Sequence, residues 1–396
     1  MKKILVLAAG ILQTPVIKKA REMGYYVIAV DGNSEAVGLQ FADKAVVANI
    51  TSEEEMLALA RAEKIDGVIH PCSEVAMHVM GRINDEMQLH GISRQIAYQA
   101  TNKHLMRNAF ERYGAPSPQS YCTDSVEEGW YLLQSIPGSA ILKPSRNSGS
   151  RGIAKIEEGL AKDEFIGLFN RAKAESRDSS VMLEQFIEGP EFSVEIIVSQ
   201  RKIYVLQVTD KKTTGAPFFV ELGHSQPSLF PTNVVDAVRD AAVRGVKALE
   251  LNDCAAHAEI KYQDAKAYIM EIGARMGGDF ISTELTHLSA GVDMVAAAIN
   301  VALGVSPNLT PETEPQGVAI RYITPKPGTV IAIKETDFTD CLDVYDSEIY
   351  VKTGDIVPEV KSSTDRSGHI IVIAHTADEA IRKAEQYISN IQIITK

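Results

Sequence analysis

Apolar and polar positions follow two different rhythms along the chain. Over the first hundred residues, short apolar runs at 3–8, 26–30, 44–48 and 67–70 read as buried strands. Between them, apolar positions at helical spacing over 14–23, 53–63 and 74–88 read as amphipathic helices. Apolar strands separated by helices predict a parallel sheet covered on both faces, with right-handed crossovers.

The rhythm then changes. The segment TNKHLMRNAFERYG predicts a helix with Thr101 as N-cap, an apolar stripe through Leu105, Met106 and Phe110, and Gly114 as the stop. Pro116 and Pro118 open a smaller unit, with strands near 139–144, 152–156 and 181–186 and a helix over 160–174. From Glu191 the pattern is a meander at 191–199, 202–210 and 217–221. A helix at 232–250, strands at 255–262 and 267–273 and a helix at 291–304 follow. Pro307, Pro311 and Pro315 mark a boundary. The remainder is strand-rich, with turns at Gly328 and Gly354 and a closing helix at 376–388. The expected fold class is α/β and α+β in three units: 1–98, 99–310 (with a small lid at 115–188) and 311–396.

Composition narrows the function. With 45% hydrophobic and 23% charged residues, the chain can fill several cores. Forty basic against 52 acidic residues leave a net charge of −12, which repels nucleic acid and anionic lipid. Cys72, Cys122, Cys254 and Cys341 form no C-x-x-C pair, so a disulfide scaffold or zinc ribbon is not expected and a cytoplasmic location is. The opening MKKILVLAAG has the look of a signal peptide, but a turn, a helix and a second strand follow it, as in a βαβ unit. No apolar run of about 18 residues predicts a membrane span.

Candidate chemistry lies in four places. The turn after the first strand, AAGILQTP, lacks G-x-G-x-x-G, which argues against a dinucleotide site; Asp31 beyond the second strand reads as a ribose contact or a plain turn acid. The first place is LKPSRNSGSRG (142–152), where small residues let backbone amides approach phosphate while Lys143 and Arg151 supply charge. It is no P-loop, and a mobile hairpin loop is the plainer alternative. The second, EQFIEGPEFSVE (184–195), bends at Gly189-Pro190; it presents amides to a flat heterocycle and Glu191 to a ribose, or else is an inter-domain hinge. In the third, HAEIKYQDAKAYIMEIGARMGG (257–278), Glu259 and Glu271 are separated by an even number of positions. An odd-length loop at Gln263–Ala267 sets Tyr262 against Tyr268 and Glu259 directly opposite Glu271. Opposed like charges destabilise a sheet, and Mg²⁺ completed by water and phosphate oxygens removes the conflict. The other register puts the two acids on opposite faces. The fourth is Arg275, an ordinary ion-pair partner or a bidentate clamp for a carboxylate or acyl phosphate, followed by Gly277 and Gly278, which permit close backbone approach to a substrate.

Taken in order and spacing, these segments resemble the ATP-grasp superfamily over most of the chain. The resemblance implies that Lys103 and Lys143 contact ATP and that Ser148, Gly149, Ser150, Arg151 and Gly152 form the phosphate-covering loop. It implies further that Glu184, Gln185, Phe186 and Ile187 hold adenine and Glu191 ribose. By the same likeness Glu259 and Glu271 bind Mg²⁺, with Mn²⁺ able to substitute, and Arg275 holds substrate and transition-state charge. Many members carry Asn two residues after the second metal Glu; here that residue is Gly273.

Within the superfamily, DKKTTGAPFFVELGHSQPS (210–228) and EIGARMGGDFIS (271–282) look most like the L-amino acid ligase and carnosine-synthase-like group, which joins a carboxylate to an amine. His224 would then stand near the reacting carboxylate, as an electrophilic contact or a proton acceptor. Glu74 and Arg82 would line the acceptor pocket, or else lie on a solvated helix face. The expected partners are a small carboxylate and an amine, with a homodimer as the default assembly. Competing readings are a bicarbonate-dependent carboxylase, a nicotinamide-dependent oxidoreductase and a nucleotide sensor without turnover.

Overall fold

The N-terminal strands form a parallel sheet, β1 (Lys3–Leu7), β2 (Tyr26–Asp31), β3 (Lys44–Val47) and β4 (Gly67–Ile69), in the order β3-β2-β1-β4. Helices α1 (Thr14–Glu22), α2 (Glu53–Glu63) and α3 (Met77–Met87) accompany it. Leu5, Leu7, Ile28 and Val30 enter one core, while Ile4, Val6, Val27 and Ala29 enter another on the opposite face. Dry faces on both sides are what continuous apolar strands require. The computed structural model describes residues 1–145, 152–216, 218–334, 338 and 340–396. Helix α3 starts three residues later than the pattern predicts, because His70 organises the preceding loop. Its Nδ1 donates to the Leu7 carbonyl (2.8 Å) and its Nε2 accepts from the Ala76 amide (3.2 Å). Residues 70–76 are thereby folded over the end of the sheet.

Helix α4 (Arg94–Ala100), which the pattern does not reveal, leads into α5 (Lys103–Tyr113). Asn102 rather than Thr101 caps α5: its side chain accepts from the Leu105 amide at 3.0 Å. Gly114, at φ 65°, ends the helix as expected. The small unit contains β5 (Ser120–Thr123), α6 (Val126–Leu133), β6 (Ala140–Pro144), β7 (Ala154–Ile156), α7 (Lys162–Glu175) and β8 (Val181–Gln185). Its sheet runs β5-β8-β6-β7 over a core of its own, built on Leu142, Phe165, Phe169 and Leu183.

The central strands are β9 (Glu191–Ser199), β10 (Lys202–Thr213) and β11 (Glu221–Gln226), then β12 (Cys254–Gln263) and β13 (Lys266–Gly273), with α8 (Thr232–Ala248) between β11 and β12. The strand expected at 217–221 begins at Glu221, since Thr214 and Val220 close the preceding loop through a backbone bond and a Thr214 side-chain bond. Helices α9 (Thr286–Ala290) and α10 (Met294–Ala302) precede the C-terminal strands. These are β14 (Gly317–Tyr322), β15 (Gly328–Lys334), β16 (Val344–Ile349), β17 (Ile356–Val357), β18 (Gly368–Ala374) and β19 (Gln392–Thr395), with α11 (Ala377–Asn390) before the last. Strand β14 pairs with β11, so one eight-stranded sheet runs β13-β12-β9-β10-β11-β14-β18-β16 across the boundary marked by the prolines. Among the described residues no single helix is long and apolar enough to cross a membrane.

The hairpin that carries the paired acids reaches its register by a route the sequence does not show. Its loop is a two-residue turn, Asp264–Ala265, with both φ positive (50° and 59°). Tyr262 therefore faces Ala267 and Lys261 faces Tyr268. Left alone, that register would offset the acids by one residue and send them to opposite faces. A bulge after the Ile260–Ile269 pair leaves Met270 as the extra residue and sets Glu259 directly opposite Glu271.

Candidate active site

The parallel sheet, the small unit and the central sheet enclose a cavity of about 620 Å³. Lys103, Lys143 and Glu184 line one part of it, with Gln185, Phe186 and Ile187 beside them. Glu191, Glu259, Glu271 and Arg275 come from the central sheet, and Glu74 from the loop after β4. Residues spread over two hundred positions thus share one space. Gly152, at φ 75°, lies at the base of the phosphate-loop candidate, where a Cβ would meet Pro144 at 2.9 Å. Ser148, Gly149, Ser150 and Arg151 lie outside the described residues.

The nucleotide end is built around Glu184, which has no exposed surface. Arg107 grips its two oxygens at 2.9 and 3.1 Å, and Lys143 adds a third contact at 2.7 Å. Burial favours the neutral acid, but the two cations prevail and hold the carboxyl down at about 2. Burial in turn lowers the pKa of Lys143. Phe186 offers its ring face to Lys155 and Lys261, at 4.6 and 5.2 Å from the centroid, and Phe219 stands 6.2 Å away. An aromatic ring flanked by cations, beside the backbone of Gln185–Ile187, suits a flat heterocycle.

The metal end has two carboxylates on one face of the hairpin. Glu271 accepts from Lys103 at 3.2 Å. Glu259 lies 3.3 Å from Lys211, a nearly buried lysine that also touches Glu191 (2.6 Å) and Glu221 (3.5 Å). Attraction by Lys211, stronger than the opposing cost of burial, holds the Glu259 carboxyl well below the usual range, and His257 adds to it. Burial resists a raised pKa at Lys211, yet its three acids lift it well above the ordinary value. Among the described residues no three metal-ligating side chains cluster. Two hard oxygen donors beside a phosphate-sized space fit a Mg²⁺ that shares its coordination with water and triphosphate.

Arg275 lies between the metal end and the N-terminal wall. Its Nη2 is 3.4 Å from Glu74, its Nη1 donates to the Met276 carbonyl (3.2 Å), and its Nε has no protein partner among the described residues. Burial, followed by repulsion from Glu271, raises the Glu74 pKa. A Cβ at Gly273 would stand 3.1 Å from the Arg275 guanidinium, so an Asn there would crowd the arginine.

Some expected residues lie elsewhere. Arg82 is turned to α2, where it bonds Glu53 (3.0 Å) and Glu54 (2.7 Å), and does not line the cavity. His224 is buried on β11, 3.5 Å from Asp279 and outside the cavity lining. Gly277 packs against His257 instead of facing the cavity, and Gly278 stands near Leu12. Conversely, the sequence reading passes over Arg107, Lys211, His257 and Glu195. Arg107 follows Lys103 by one helical turn and His257 precedes Glu259 by one strand period, so each had a spacing signal. Glu195 and Lys211 had none.

Comparison with known proteins accords with this geometry. Residues 136–284 match the ATP-grasp domain, and residues 321–396 match the L-amino acid ligase C-terminal domain 2. The chain is 26% identical to the alanine–anticapsin ligase of Bacillus subtilis, over 63% of this chain and 56% of that protein. It is 24% identical to carnosine synthase 1 of Mus musculus, over 81% of this chain and 42% of that one. The chain therefore spans about half the length of these relatives. The crystal structure of L-amino acid ligase from Bacillus licheniformis superposes with a TM-score of 0.84 at 20% identity, covering 100% of this chain and 99% of that one, and so shares the fold.

Proposed function

We propose that this chain is an ATP-grasp carboxylate–amine ligase that joins an amino-acid-like carboxylate to an amine through an acyl phosphate, releasing ADP and phosphate, a reading supported by the matches to the ATP-grasp domain and to the L-amino acid ligase C-terminal domain 2. The observation that carries the reading is the pair Glu259–Glu271, directly opposed on the hairpin and facing the same cavity as Lys103, Lys143 and Arg275. A carboxylate oxygen of the donor attacks the γ-phosphorus, and the bond to the bridging oxygen breaks as ADP leaves. Lys103 and Lys143 hold the phosphates in line, and Arg275 grips the donor's carboxylate and the charge that builds on it. Mg²⁺ on Glu259 and Glu271 would supply charge neutralisation of the triphosphate. The amine then attacks the acyl carbon and phosphate departs with the C–O bonding pair. Glu74, beside Arg275 on the N-terminal wall, accepts the amine's proton; its raised pKa suits it to that task. The small unit, with its separate core, excludes water from the acyl phosphate by closing over the cavity.

The test is a matrix of amino acids and amines assayed for ADP release with Mg²⁺-ATP, with Mn²⁺ as a second arm. The expected product has the summed mass of both substrates less one water. Release of AMP, or a product heavier by CO₂, would overturn the proposal.

A further inference from the structure

We propose that Glu195, His257 and Ser282 form a positioning unit that fixes the Glu259 carboxylate relative to the Arg275–Gly277 turn. The proposal rests on the reading of Glu259 as a Mg²⁺ ligand. Glu195 on β9 and His257 on β12 are direct cross-strand partners. Glu195 has no exposed surface and does not line the cavity, so it meets neither nucleotide nor substrate. One of its oxygens pairs with His257 Nδ1, and the other accepts from the Ser282 hydroxyl. The Ser282 oxygen in turn accepts the Gly277 amide at 2.7 Å. On the far side of the imidazole, Nε2 lies 3.8 Å from Glu259.

A continuous chain of polar contacts therefore runs from the metal-facing carboxylate, through a buried acid, to the backbone that follows Arg275. Its geometry is tight. A Cβ on Gly277 would stand 2.5 Å from His257 Nδ1 and 3.1 Å from Glu195. The Cys72 thiol, 3.2 Å from the Gly277 carbonyl, ties the N-terminal wall to the same turn. A wholly buried carboxylate is costly unless its partners are fixed, and carboxylates that bind metals depend on the groups that hold them from behind. Glu195 serves that purpose through His257.

Titration of Mn²⁺ into the full chain with ADP, with free Mn²⁺ read from its EPR signal, tests the unit without reference to turnover. Glu195→Gln should weaken Mn²⁺ binding about 10–100-fold while circular dichroism stays that of the parent. Ser282→Ala removes the hydrogen bond donated to the Glu195 carboxylate and the one accepted from the Gly277 amide, and should weaken it about two- to tenfold. Parent-like Mn²⁺ affinity in both variants would show the unit to be packing alone and overturn the proposal. Glu259→Gln separates the two possible failures. If it also binds Mn²⁺ like the parent, the metal reading itself fails; if it loses binding while Glu195→Gln does not, only the positioning unit fails. Should Glu195→Gln not fold, Gly277→Ala, which presses on His257, must weaken Mn²⁺ binding together with Ser282→Ala, or the proposal falls.

Discussion

Glu184 and the Glu259–Glu271 pair show how similar groups serve as scaffold or as site. Glu184 is fully buried and has three contacts from two cations, one of which, Arg107, is itself only 3% exposed. Glu259 and Glu271 keep 34% and 25% of their side chains exposed toward the cavity and lean on lysines at longer range. A carboxylate held on both oxygens by buried cations stiffens the fold. One whose lone pairs still face open space can take a ligand. Arg107 links the two regions, because the guanidinium that grips Glu184 also donates to the carbonyl of the bulge residue Met270 (2.7 Å). The scaffold acid thus shares its anchor with the kink that brings the site acids together.

Removing Arg107 should affect the scaffold acid most strongly. Arg107→Met leaves Glu184 with Lys143 alone and should destabilise the protein by about 3–5 kcal/mol, read from the denaturant midpoint. A parent-like midpoint would show that Arg107 is not structural. At the other region, Glu271→Gln should leave the midpoint nearly unchanged and reduce ADP release at least about a hundredfold. Unchanged turnover would remove Glu271 from the metal site.

Acid sharpens the contrast. The carboxyl of Glu184 sits at about 2 in the folded protein against an ordinary 4.5, so it binds its proton more readily when unfolded. Its contribution is therefore complete above about pH 4.5 and is lost as pH falls toward 2. Stability of the parent should fall across that window more steeply than that of Arg107→Met, in which the strongest opposing charge is gone. The smallest effect is expected at Arg82. Its partners Glu53 and Glu54 lie on α2, so Arg82→Ala should leave turnover and the apparent affinity for the amine within about twofold of the parent. A large rise in the amine's KM would return Arg82 to the acceptor pocket.

Much of the architecture is readable from local pattern. The apolar runs of β1, β2 and β4 can be satisfied only by a sheet with both faces covered, and α2 spans the same 53–63 that its spacing predicts. Errors arise where a side chain redirects the backbone: His70 delays α3, and Thr214 postpones β11. Lys143, Glu259, Glu271 and Arg275 stand out as charges in apolar or glycine-rich surroundings, where burial makes a charge expensive without a purpose, whereas Lys103 is implied only by the family resemblance; all five line the cavity. Arg82 and His224 carry the same side-chain chemistry and point elsewhere, which spacing cannot reveal.

Most strands and helices, and the segments that carry unusual charge, are legible from the chain alone, because periodicity and cost of burial are local properties. The register of the acidic hairpin is set by tertiary contacts. The turn alone would part Glu259 from Glu271, and they meet because one residue is displaced at Met270, where Arg107 from a distant helix takes its carbonyl. A bulge depends on what packs against it, so no pattern within the two strands could specify it.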